Sequence, residues 1–110
     1  MNRSSLWPCL LLGLFLVACR EEAPPLLIPE DKLVDVLVDV HLAEASLQNR
    51  FGPVKDSLAQ AYYQKIYELH EVEAATFEET MERLRRHPER SERIYEQVME
   101  RLSTMEAEVR

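Results

Sequence analysis

Four side chains in "LVDVLVDVHLAEA" (residues 33–45) have the types a reactive site needs: Asp35, Asp39, His41 and Glu44. Carboxylates beside an imidazole can hold a divalent cation or relay a proton between acid and base. Which of these they could do depends on the element that carries them. Counted by twos, Val34, Val36, Val38 and Val40 share one side of a strand, with Asp35, Asp39 and His41 on the other. Counted by threes and fours, Leu33, Leu37, Val40, Glu44 and Leu47 line one face of a helix. A strand needs partners. No second β-rich run follows, and the remainder is rich in Glu, Arg, Ala, Leu, Gln and Met, all good helix formers. The stretch is therefore predicted to be a helix opening at Pro29-Glu30-Asp31, with acids near the positive end of its dipole.

On that helix Asp35 and Asp39 lie four apart, on a stripe with Lys32 and Ser46, where like charges mildly repel. His41 and Glu44, three apart, are expected to meet on a neighbouring stripe. A metal needs three or four convergent ligands and one helix supplies at most two. The spacing of His70 and His87 does not call for a ligand role. The four residues thus form a candidate polar helix site, expected to be a solvated stripe with a His–Glu contact, and no metal or cofactor is expected.

A fifth reactive group is a sulfur. "MNRSS" carries one Arg and no acid, and "LWPCLLLGLFLVA" is a short apolar run closed by small residues. This is the layout of an export signal, and the run is too short to span a bilayer as a mature helix. Its last four residues, Leu16-Val17-Ala18-Cys19, resemble the lipobox of bacterial lipoprotein precursors. The resemblance implies lipidation of the Cys19 thiol, cleavage between Ala18 and Cys19, and acylation of the new amine. Residues 1–18 are then the signal peptide. The only other cysteine, Cys9, lies inside it, so the mature chain keeps one thiol and forms no internal disulfide. Two or three acyl chains hold a protein to a bilayer where one holds it only marginally.

Cleavage leaves 92 of the 110 residues, with all 20 acids and 12 of the 13 basic residues, a net charge of −8. That balance argues against nucleic acid and against lying flat on an anionic membrane. Residues 19–29 read as lipidated cysteine and tether. Three prolines in "REEAPPLLIP" favour extended geometry at about 3.1 Å per residue. The position after Cys19 is Arg20, so the familiar Asp-based inner-membrane retention signal is absent and the outer membrane is the expected destination. Arg20-Glu21-Glu22 loosely resembles a surface-export signal, although a solvated linker explains it as well. Leu26, Leu27 and Ile28 are expected to fold back onto the body.

Residues 30–110 are predicted to be an all-α domain, a small bundle of three to four amphipathic helices. "NRFGPVKD" reads as a loop, and Asp56 or Ser57 as the cap of a second helix with an inner face of Leu58, Ala61, Tyr62, Ile66 and Leu69. A third carries Phe77, Met81 and Leu84. Pro88 opens a fourth, with apolar residues at Ile94, Val98, Leu102, Met105 and Val109. "HEVEAA" has no Gly or Pro, so helices two and three either separate there or run on as one.

"IPEDKLVDVLVDVHLAEA", "YY" followed by "IYELHEVEAATF", and "HPERSERIYEQVMERL" together resemble the domain-of-unknown-function 4296 family, small lipoproteins of Gram-negative bacteria. The likeness covers nearly all of the mature chain and implies a lipid-anchored helical domain without an established activity. Members usually carry a Gly- or Thr-containing turn where this chain has "HEVEAA". There is no mature cysteine nucleophile, serine elbow, phosphate loop or metal-binding histidine spacing, so neither an enzyme nor a small-molecule substrate is expected. The expected role is a non-enzymatic interaction or accessory module of an outer-membrane or periplasmic assembly. Its membrane attachment is the lipid on Cys19, its partner is an envelope protein, and Tyr63, Tyr67 and Tyr95 are candidate contacts. The alternative is a chaperone-like periplasmic helper that holds clients on Met-, Phe- and Tyr-rich faces.

Overall fold

The apolar pattern that reads as strand or helix is resolved by burial. The computed structural model describes residues 25–109, and among them there are four helices and no strand. These are α1 (Glu30–Leu47), α2 (Gly52–His70), α3 (Ala74–Arg85) and α4 (Pro88–Val109). The leader, the Ala18–Cys19 cleavage point and the lipidation site Cys19 lie outside the described residues. No helix among the described residues is long and apolar enough to cross a membrane.

The central helix is α1, packed against both α2 and α4. Leu33, Val34, Val36, Leu37, Val38, Val40 and Leu47 are all buried. A helix covered on two sides is apolar around most of its circumference, which is why its valines also fit a period of two. Ile28 is buried in the same core and Leu26 packs against it, whereas Leu27, expected to fold back with them, is 43% exposed.

Helix α2 starts five residues before the expected Ser57 cap, at Gly52. Pro53 suits the first turn because its missing N–H has no intrahelical partner there in any residue. Gly52 has φ +69°, a backbone that side chains disfavour. The inner face is also rotated from the expected one. Ile66 is buried and Leu58, Tyr63 and Tyr67 are half-buried, but Ala61, Tyr62 and Leu69 are exposed. The tyrosines turn inward because each finds a partner there. Tyr63 donates to Glu44 on α1 at 2.8 Å, and the Tyr67 ring lies 5.5 Å from the Phe77 ring on α3.

Helices α2 and α3 are separate. The Glu71 N–H donates to the Glu68 carbonyl at 3.2 Å and the Val72 N–H to the Tyr67 carbonyl at 2.9 Å. This is a Schellman stop, with Glu71 in the left-handed region at φ 54° and Val72 packed against the core. Helix α3 buries Phe77, Thr80 and Leu84, while Met81 is half-buried. Thr80 tolerates full burial because its hydroxyl donates to the Thr76 carbonyl at 2.7 Å. Ile94 and Val98 of α4 are fully buried and Leu102 is half-buried. Met105 and Val109 extend the apolar repeat past any partner and are exposed.

Candidate functional site

The chain brings α1 and α2 together antiparallel, so residues late in α2 reach the middle of α1. There His70 Nε2 lies 2.6 Å from the Asp39 carboxylate, the tightest polar contact between these two helices. One helical turn earlier on α1, Asp35 pairs with Arg101 of α4. Glu44 accepts the Tyr63 hydroxyl. His41 stacks on the Tyr95 ring of α4 at 6.0 Å, with 28° between the planes. His41 and Glu44, expected to meet each other, are instead seen engaging Tyr95 and Tyr63. Each residue is drawn to a side chain on another helix, Asp39 and Glu44 to α2 and Asp35 and His41 to α4. The four diverge, and they act as ties that set how α2 and α4 sit on α1. Among the described residues no group of three or more His, Cys, Asp or Glu side chains is placed to hold a metal ion.

A further tie closes the other end of α1. Gln97 donates to Glu30 at 2.9 Å and Arg93 lies 3.5 Å from the same carboxylate. The Gln97 hydrogen bond, helped by the Arg93 charge, lowers the Glu30 pKa despite some desolvation. Arg93, Gln97 and Arg101 thus serve the N-terminal half of α1, whereas Tyr95, Met99 and Leu102 face His41, Leu42 and Ala45 in its C-terminal half.

The candidate contact residues Tyr63, Tyr67 and Tyr95 are half-buried and packed against the core. Burial, followed by donation to Glu44, pushes the Tyr63 phenol up to about 12. Burial and then the Glu78 charge raise that of Tyr67. The apolar groups left outside are different ones. Between α1 and α2 runs an open groove of about 360 Å³, floored by Ala43 and Ile66 and walled by Leu42, Tyr62 and Leu69, with Asp39, Ser46 and Lys65 completing its lining. Leu42 is also shared with a second hollow toward Met99 and Leu102 of α4. Leu42 stands three residues after Asp39 and seven after Asp35, on the outward stripe of α1. A large apolar residue on a stripe of acids is the sequence signal that marks this surface.

The model of the domain of unknown function DUF4296 matches residues 24–108. The chain belongs to the DUF4296 family. No curated protein and no solved structure matches it. The match opens at residue 24, just ahead of the Leu26 and Ile28 that complete the core, so the DUF4296 fold includes the end of the segment read as tether. Within "HEVEAA" Glu71 supplies the left-handed residue that glycine commonly provides at such a stop.

Proposed function

We propose that this DUF4296 protein is a lipid-anchored envelope lipoprotein whose body is a non-enzymatic docking module for an outer-membrane or periplasmic protein. The observation that carries this reading is the α1–α2 groove. Leu42 and Leu69 are exposed there beside Tyr62, at 44% and 68%, around a concave apolar floor with a polar rim. Interfaces commonly have this layout, in which an apolar centre supplies the energy and a polar margin supplies register. The anchoring half of the reading is supported by the lipobox resemblance at Leu16–Cys19. The non-enzymatic half is supported by the divergence of Asp35, Asp39, His41 and Glu44, each engaged by a different helix-to-helix partner.

The test is co-purification from detergent-solubilised membranes with Leu42→Glu, Leu69→Glu chain. Loss of a stoichiometric envelope partner at unchanged thermal melting is expected. Recovery of that partner by the variant, or of none by the parent chain, would count against docking through this groove.

Met99 and Met105, exposed at 57% and 40%, favour the second reading, a helper that holds unfolded clients on a deformable surface. If addition of the protein leaves the aggregation rate of unfolded outer-membrane proteins unchanged, that reading fails.

A further inference from the structure

Helix α4 carries its apolar face further than the body does. Tyr95, Val98, Leu102, Met105 and Val109 follow one another at alternating steps of three and four, the repeat by which two helices pack along a seam. Val98 is fully buried, and Tyr95 and Leu102 are half-buried against the core. Beyond them Met105 and Val109 are 40% and 89% exposed, although the helix runs unbroken to Val109. Turns without a packing partner gain little from staying helical. The seam therefore outlasts the surface that its own chain offers it.

A matching surface exists on the same molecule. Met99, 57% exposed, and Leu102 wall the hollow of about 390 Å³ between α4 and α1, whose other side includes Ala45 and Gln48. Apart from Leu42, this hollow shares no residue with the α1–α2 groove. A chain cannot turn the end of its own α4 into the hollow, because α4 is the wall. A second copy can. If two α4 helices lie antiparallel with Leu102 of each beside Met105 of the other, Val109 of each falls beside Met99 of the other. Both overhanging ends are then covered, and both hollows are filled.

Charge agrees with this register. In an antiparallel pair, residues on the same flank of the seam meet across it. Arg101 and Glu108 lie seven apart, directly before Leu102 and Val109, and so share a flank. Joining Leu102 to Met105 brings Arg101 of each copy to Glu108 of the other, twice per pair. Glu108 is exposed and has no ion-pair partner among the described residues. Arg101 pairs with Asp35 in its own chain but is 47% exposed, and its five donors leave room for a second carboxylate. On the other flank Glu106 meets Met99. Glu44, the acid in the lining of the hollow, is engaged by Tyr63.

We propose that the chain forms a twofold dimer in which the last turns of α4 of each copy seat in the α1–α4 hollow of the other. Reciprocity is what makes the contact large enough. One such end in one hollow buries on the order of 500 Å² in total, too little for a specific pair, whereas the exchange doubles this to about 1,000 Å², the low end of specific interfaces. The α1–α2 groove stays open in this dimer, so the inference stands apart from the docking proposed above.

Met99→Cys and Val109→Cys chains, carrying tags of different length, are co-expressed and oxidised with copper–phenanthroline in whole-cell lysate with its membranes. Both positions are exposed, so neither change disturbs the core. The mixed pair is expected to crosslink, because the two positions are nearly level across the seam. Either chain expressed alone is expected not to, since like positions are then about 14–16 Å apart along the helices, beyond the reach of a disulfide. Cys9 and Cys19 occur in every chain, so the contrast between mixed and single chains removes any contribution from them. Glu108→Arg in both chains should slow the initial crosslinking rate on the order of tenfold by turning two attractions into two repulsions. Crosslinking of either chain alone to the extent of the mixture, no crosslink in the mixture, a crosslink to a different protein instead, or an unchanged rate in Glu108→Arg overturns the inference.

Discussion

Tyr63 joins two of the forces that hold this protein together, ring burial against the core and a hydrogen bond to Glu44 across helices. Both require the neutral phenol. Its pKa is raised from 10.0 to about 12, so the folded state resists an ionisation that the unfolded chain undergoes readily. The sign follows from linkage. The stabilisation is intact below pH 10, declines as pH rises from 10, and is lost as pH passes about 12. Denaturant melts at a series of alkaline pH values should show stability falling across this window. Tyr63→Phe should flatten the fall while leaving the shallower part due to Tyr67, whose phenol is raised the same way. An unchanged slope in Tyr63→Phe would mean that the phenol is not held neutral by the fold.

For the helices, stopping matters as much as starting. Helix α2 ends because Glu71 takes φ 54°, a conformation that costs a side-chain-bearing residue about 1 kcal/mol and glycine almost nothing. Glu71→Gly should therefore stabilise the domain by about 1 kcal/mol, a rise of about 4–8 °C in Tm for a domain of this size. A fall in Tm would show that the Glu71 side chain contributes something the backbone geometry does not reveal. The same stop sets the direction of α3, so that Phe77 meets Tyr67. Helix α4 behaves in the opposite way. Its apolar repeat continues through Met105 and Val109, but the partner ends near Leu102, so the last turns are helical without being packed.

For the molecule as a whole, one core cluster joins all four helices and the entering segment of tether at Ile28. About 85 residues without a disulfide imply a total stability on the order of 5–10 kcal/mol. Ile94 is fully buried between α4 and α1, and Ile94→Ala should cost about 2–5 kcal/mol, enough to lower abundance in cells. Leu69→Ala, at the groove, should change stability by less than about 0.5 kcal/mol and act on partner binding instead. Comparable melting losses for the two variants would mean that the groove belongs to the core and is not a free surface.

Helix type and most of the core were legible in the amino-acid order, and helix number only as three to four. They follow from local physics: the spacing of Leu37, Phe77 and Ile94, the helix formers around them, and the proline that opens α4. The turn at Glu71 is not legible there, because a non-glycine residue in left-handed geometry leaves no compositional mark. The inner face of α2 is ambiguous in the sequence because Tyr62 and Tyr63 are identical in type. Only Glu44 on one neighbour and Phe77 on another decide which ring, and which turn of the helix, faces inward. For the same reason Asp35, Asp39, His41 and Glu44 look like a cluster along the chain and separate in space. Periodicity states which residues share a face, but the partner across that face is set by packing between helices, and that choice exists only in the tertiary structure.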